Sequence, residues 1–193
     1  MPAASPYKIL EMSIDESSQS SAAEVNPFSA EDVASILRER GWLAGELSPA
    51  QTVWCDRAVA LLGPRAADLA ALGELLALVF HYDAREILAR VDSHVVLSRY
   101  GAREVLRELA LLLLEGASVT SDRFKEIVSH LKDKLEIRGR ELFHPIRLAL
   151  AGRAGEGELD RVILLLDEAA EWSFAPPVKS ARARILEFCA GLD

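Results

Sequence analysis

Residues 138–167 have the sequence RGRELFHPIRLALAGRAGEGELDRVILLLD, the most informative stretch of the chain. Two helical segments are joined by a glycine-rich turn, GRAGEG, in which the backbone can adopt positive φ and approach a ligand closely. Apolar side chains recur at helical spacing in the second segment and predict a helix with one buried face. They are Leu159, Val162, Ile163 and Leu166. The stretch therefore predicts a helix–turn–helix unit with a basic side.

The rest of the chain extends this helical pattern. The 193 residues are half apolar, enough for one core or for two small helical subdomains that share an interface. Leu, Ala, Glu and Arg dominate, and no segment alternates like a strand, so we predict an all-α protein of eight to nine helices. We divide it into a disordered polar leader (1–28), a first helical subdomain (29–116) and a second (117–193) that carries the 138–167 stretch.

Helix starts and stops are visible as short local signals. Ser29 begins a capping box with Asp in the place of Glu, and Ser48-Pro49 places proline at a first helical position. Pro64-Arg65 is interpreted as the opening of a third helix. Pro176-Pro177 breaks the chain before a last helix, which we predict over residues 178–190.

Charge and cysteine content restrict the compartment and the partners. The net charge of -8 argues against a broad phosphate-binding surface, although it leaves room for a small basic patch. Cys55 and Cys189 lie far apart without a CxxC motif, which indicates reduced thiols in the cytosol. Apolar runs such as residues 109–114 are much shorter than a membrane span, and the N-terminus lacks an apolar signal region. We therefore predict a cytoplasmic protein without a membrane partner.

No catalytic or metal-binding pattern is found. The four histidines, His81, His94, His130 and His144, have neither the spacing of metal ligands nor the neighbours of a nucleophilic site. HExxH, Walker and GxGxxG motifs do not occur. We therefore predict no catalytic residue, no metal and no cofactor on this chain.

Arginines are concentrated in residues 138–153, where four of them accompany a single acid, Glu141, in a chain of net charge -8. They are Arg138, Arg140, Arg147 and Arg153. Two interpretations stay open: a solvated face that offsets acids on neighbouring helices, or a patch that binds phosphates and base edges. A continuous helix would place Arg140 and Arg147 on one face, although Pro145 can disturb that register.

At this point the stretch resembles the C-terminal signature of bacterial glutamyl-tRNA synthetases, K-G-K-x-F-x-P-L-R-x-A-L-T-G followed by a Gly/Pro turn and a helix. The matching positions are Gly139, Phe143, Pro145, Arg147, Ala149, Leu150, Gly152 and Leu159. Weaker similarity in residues 62–80 and 118–137 extends the resemblance to about 30–167. That range corresponds to the family's anticodon-binding domain, which is a helical cage of two subdomains.

The resemblance implies a tRNA-binding module that reads the anticodon arm of glutamate-accepting tRNA, and no role on DNA. Arg147 takes the place of the arginine that contacts anticodon bases, and Arg65 that of an arginine that reads the last base. His144 and Leu159 fall at neighbouring anticodon-facing positions, and Arg140 and Arg153 complete the predicted RNA-binding set. Splayed anticodon bases would be read on their edges by side chains and backbone amides.

Departures from the family keep three hypotheses open. Motifs like HIGH and KMSKS do not occur, so the chain is not expected to activate glutamate. Gly157 stands in place of a common proline, with Glu156 and Glu158 beside it. The chain is then a tRNA-binding module, a degenerate copy with a protein-interaction or regulatory role, or a domain that serves a separate catalytic chain. The first hypothesis expects Arg65→Ala and Arg147→Ala to weaken RNA binding with little change in melting temperature.

Overall fold

In the computed structural model, residues 26–192 are described, and this part of the chain contains ten α-helices and no strand. The helices are α1 (Ala30–Glu39), α2 (Pro49–Leu62), α3 (Leu69–Phe80), α4 (Ala84–Leu88), α5 (Val91–Leu97), α6 (Ala102–Glu115), α7 (Ser121–Leu135), α8 (Arg140–Ala151), α9 (Glu158–Glu171) and α10 (Ala181–Ala190). The all-α prediction is confirmed. Nine helices have seven or more residues, and the short α4 accounts for the tenth.

The capping box predicted at Ser29 forms, and the helix start predicted at Ser48 forms with a capping box of its own. The Ser29 backbone N–H donates to Asp32 Oδ2 at 2.7 Å, and the Asp32 N–H donates back to the Ser29 hydroxyl. Ser48 and Gln51 make the same reciprocal pair at the start of α2. Each box satisfies backbone N–H groups that have no partner within the helix.

Two predicted helix starts are wrong, and the reason is the same for both. Pro64 and Arg65 lie in a 3-10 turn (Gly63–Arg65), and α3 begins only after Asp68, whose carboxylate accepts from the Ala71 N–H at 2.8 Å. The last helix begins after Ser180, which accepts from the Ala183 N–H. An acceptor side chain that satisfies a free N–H group decided both boundaries, rather than the proline before it.

Helices α8 and α9 from the 138–167 stretch lie at the centre of the molecule. Helix α9 packs against α2, α3 and α8, while α6 and α10 pack against α8. The apolar face predicted for α9 is fully buried, and the Trp54 indole N–H donates to the Leu165 carbonyl across the α2–α9 interface at 3.3 Å. Helices on both sides of residue 116, the predicted subdomain boundary, thus pack against each other. The division into two subdomains stays a prediction.

The leader predicted over residues 1–28 lies almost wholly outside the described residues. Its last three positions are described, and two of them contact the helices. The Asn26 side-chain amide donates to the Val59 carbonyl at 2.8 Å, and Phe28 packs on the core. No helix in the 26–192 range is long and apolar enough to cross a membrane.

A buried arginine holds the C-terminal ends of α3 and α8 together. Arg184 of α10 is fully buried, and its guanidinium donates to four backbone carbonyls. They are those of Leu78 (2.9 Å), Val79 (2.6 Å), Leu150 (2.7 Å) and Lys179 (3.1 Å). Terminal helix carbonyls lack partners within the helix and favour a nearby cation. Burial lowers the pKa of Arg184 to about 10, so the side chain is charged at neutral pH.

Candidate nucleic-acid interface

Helix α8, the turn at residues 152–157 and the start of α9 form the candidate interface. Arg147, at its centre, has only 7% of its surface exposed. Its Nε and Nη2 atoms donate to the two carboxylate oxygens of Asp160, each at 2.7 Å, and Nη1 donates to the Gly155 carbonyl at 2.6 Å. The guanidinium carbon lies 4.9 Å from the centre of the Phe143 ring. Arg147 therefore joins α8, the turn and α9 through contacts inside the protein.

The turn is held from a second side by Arg90, which donates to the Gly152 carbonyl. Gly152 ends α8 with φ of +81°, a left-handed conformation that favours glycine, and a Cβ there would lie 3.3 Å from Ile87 Cδ1. Two arginines from different parts of the chain thus fix the path of the turn backbone.

Leu159 packs against the same turn from the core of the protein. Its side chain is fully buried, and its Cδ1 atom would lie 2.8 Å from a Cβ placed on Gly155. The predicted anticodon-facing position is therefore occupied by a core side chain that packs under the turn.

His144 is paired with an arginine from the α5–α6 connection. Its Nδ1 atom lies 3.1 Å from Arg99 Nη1, and because a guanidinium can only donate, Nδ1 accepts. A neutral imidazole then carries its proton on Nε2, which is buried without a hydrogen-bond partner among the described residues. Burial lowers the pKa of His144, and the charges of Arg99, Arg147 and Arg140 lower it further.

This pKa shift predicts how stability depends on pH. The unfolded chain, with an ordinary histidine pKa of 6.5, binds a proton more readily than the folded chain does, so stability should rise with pH below that value. The His144 contribution is complete above pH 6.5 and is lost as the pH falls towards the lower folded pKa. An NMR titration of the imidazole should show this low pKa, and Arg99→Met should raise it. A His144 that titrates at or above 6.5 in the wild type would contradict the assignment.

The remaining predicted residues are more accessible. Arg140 is exposed and lies 3.5 Å from the equally exposed Glu156 carboxylate, a pair that stabilises little in water. Arg153 is half-buried, and its charge contributes, after that of Arg40, to the lowered pKa of Glu74 on α3. Arg65 is exposed on its 3-10 turn, and no hydrogen bond or ion pair among the described residues joins it to the others.

The structure thus brings Arg140, His144 and Arg147 together on α8, with Arg153 and Leu159 in and beside the turn. Two further residues, Arg90 and Arg99, were not predicted from the sequence. Both reach the unit from the ends of α5, across 62 and 45 residues of chain. Neither lies in a motif, so only the tertiary packing of α5 against α8 reveals them.

A metal centre is not formed by the described residues, because no three His, Cys, Asp or Glu side chains among them are placed to bind one ion. The chemistry available at the interface is that of guanidinium groups, one neutral imidazole and the turn backbone. In residues 26–192, no hydrogen bond engages the N–H groups of residues 153–157.

Comparison with known proteins supplies the identity of this unit. Residues 21–169 match the family model described as the anticodon binding domain. Glutamate–tRNA ligase 2 of Syntrophus aciditrophicus is 31% identical over 118 residues, which cover 61% of this chain and 24% of that ligase. Glutamate–tRNA ligase of Bacillus licheniformis is 30% identical over 130 residues, covering 67% of this chain and 26% of the ligase.

A shorter match is stronger in identity: glutamate–tRNA ligase 2 of Coxiella burnetii is 46% identical over 68 residues, 33% of this chain and 15% of the ligase. No solved structure matches the chain. The first two matches span about a quarter of the length of those ligases. The all-helical fold, the α8–turn–α9 unit and the match over residues 21–169 lead to one conclusion: the chain belongs to the anticodon-binding domain family found in glutamate–tRNA ligases.

Proposed function

We propose that this chain binds tRNA through the anticodon arm and that its cognate tRNA is the glutamate-accepting one. The observation that carries the proposal is the family match over residues 21–169, which includes α8, the turn and all but the last two residues of α9. A patch of arginines in a chain of net charge -8 agrees with a small, localised RNA site rather than a broad basic surface.

The contacts of the described residues suggest two roles within this site. Arg140 and Arg65 are exposed and Arg153 is half-buried, and their guanidinium groups can bind phosphates or base edges. Arg147 and Leu159 are buried and act as positioning residues, because they fix the turn, whose N–H groups at residues 153–157 have no hydrogen-bond partner among the described residues. His144 is also a positioning residue, because its Nδ1 atom accepts from Arg99 and its Nε2 atom is buried.

Under this proposal, residues outside this domain catalyse the ligation of glutamate to tRNA. The sequence contains no motif for glutamate activation, so a separate catalytic chain or segment would supply the ligation of glutamate to tRNA. The chain would work in the cytoplasm, where tRNA is charged. The protein-interaction alternative is kept as an outcome of the binding test.

Binding of glutamate-accepting tRNA over a salt series tests the proposal. We expect saturable binding that weakens as salt rises, because phosphate contacts release counterions. Arg65→Ala, Arg140→Ala and Arg153→Ala should each weaken binding, and each lost phosphate contact should reduce the salt slope by about one. Arg182→Ala, an exposed change on α10, is the matched control and should leave both quantities unchanged.

Two results would contradict the proposal. One is an absence of saturable binding at low salt, where phosphate contacts are strongest. The other is an affinity that none of the three site variants changes. Recovery of a protein partner together with no RNA binding would support the interaction alternative instead.

A further inference from the structure

Tyr100, in the turn between α5 and α6, is the most exposed large apolar side chain in residues 26–192. It is 89% exposed and makes no ring contact with another described residue. A single exposed apolar residue is ordinary on a protein surface. A binding role for Tyr100 therefore depends on the residues of its own turn and of the adjoining turn.

The α5–α6 turn lies directly against the α7–α8 turn. Gly101, which has φ of +74°, is covered by the Ile137 side chain, and a Cβ added there would clash with Ile137 Cδ1. On the other side, Arg99 is held to His144 of α8 at 3.1 Å. Tyr100 lies between these two attachments, at the N-terminal end of the candidate interface.

Arginines lie in and beside these two turns. Residues 98–104 and 136–141 contain four arginines, Arg99, Arg103, Arg138 and Arg140, and three glutamates, Glu104, Glu136 and Glu141. All of the arginines except Arg99 are exposed. An exposed aromatic ring with arginines on its own turn and on the adjoining turn fits single-stranded nucleic acid, because bases stack on the ring while arginines bind the neighbouring phosphates.

We infer that Tyr100 is a stacking platform for one unpaired nucleobase and that Arg103 and Arg138 bind the phosphates on either side of it. The inference rests on the proposed tRNA function and extends the binding site beyond the residues that the family resemblance implies. Every base has a π-face, so this subsite contributes affinity for an unpaired strand and little preference between bases.

Substitution of Tyr100 tests the platform. Tyr100→Ala should weaken binding of glutamate-accepting tRNA about five- to 150-fold, the range found for loss of one base–aromatic stack. Tyr100→Phe should retain most of the affinity because the ring is kept. Val53→Ala is the matched control, since it removes an apolar side chain that is 61% exposed on α2, and it should bind like the wild type.

A direct readout comes from Tyr100→Trp, whose fluorescence should be quenched when a base stacks on the indole. We expect quenching with a tRNA anticodon stem–loop and none with a fully paired RNA duplex of the same length. Equal affinity of wild type and Tyr100→Ala, with no quenching in Tyr100→Trp, would overturn the platform and leave the proposed function standing. A wild type that binds no tRNA would overturn both.

Discussion

Replacement of Arg184 with methionine is expected to lower the free energy of unfolding by about 3 to 5 kcal/mol. The buried guanidinium donates to carbonyls at the C-terminal ends of α3 and α8 and at the entry to α10. Methionine fills similar space but donates no hydrogen bond, so these buried acceptors lose their partner, and each can cost about 1 to 3 kcal/mol. Relief of the desolvated charge offsets part of this loss.

Thermal and urea unfolding would measure the effect. For a chain of this size, the expected loss lowers the melting temperature by roughly 6 to 20 °C. Arg182→Met is the control, because Arg182 is exposed two residues earlier on the same helix, and we expect a change within about 0.5 kcal/mol. A loss below 1 kcal/mol for Arg184→Met would show that the four hydrogen bonds do not hold these helices together.

The second large effect is expected at the Arg147–Asp160 pair. Arg147→Met should destabilise the fold by about 2 to 4 kcal/mol, because it leaves the Asp160 carboxylate and the Gly155 carbonyl without their donor. The estimate is below that for a fully buried pair because 21% of the Asp160 side chain is exposed. Arg147→Lys should recover only part of the loss, since an ammonium cannot make the two parallel bonds.

A double-mutant cycle isolates the pair itself. Arg147→Met, Asp160→Leu and the double variant should give a coupling energy of about 1 to 3 kcal/mol. Arg153→Met, in the neighbouring turn, is the control for loss of a less buried arginine. Additive effects of the two substitutions would contradict a structural role for the pair.

The expected loss of stability on replacement of Arg147 differs from the expectation based on the sequence. The resemblance implied a base-contacting arginine whose removal spares stability, whereas the structure buries Arg147 against Asp160. Weaker RNA binding by Arg147→Met is still expected, through loss of the turn geometry. A variant that loses stability and retains full affinity would exclude Arg147 from the binding role in either form.

Local signals in the sequence predicted much of the fold. The helix starts at Ser29 and Ser48 and the buried face of α9 depend on residues a few positions apart. Such local features can therefore be recognised in the sequence. The start of α3 was predicted too early in the chain, at Pro64. The observed N-cap, Asp68, is also a local signal in the sequence.

The candidate site was predictable only in part, because its contacts join distant residues. The basic stretch around Arg140 and Arg153 is a feature of composition and could be read directly. The pairing of Arg147 with Asp160 requires α8 and α9 to fold back on each other, and the contacts of Arg90 and Arg99 require α5 to pack on α8. No periodicity or motif encodes these tertiary contacts.

Whether the chain reads the anticodon is tested most directly with two tRNAs that differ only in the anticodon. Affinities of the purified chain would be measured at one salt concentration for glutamate-accepting tRNA and for the same tRNA with its anticodon replaced. We expect clearly tighter binding of the tRNA with the cognate anticodon, and a smaller difference between the two tRNAs for Arg65→Ala. Equal affinity for both tRNAs, or no binding of either, would contradict a role in reading the anticodon.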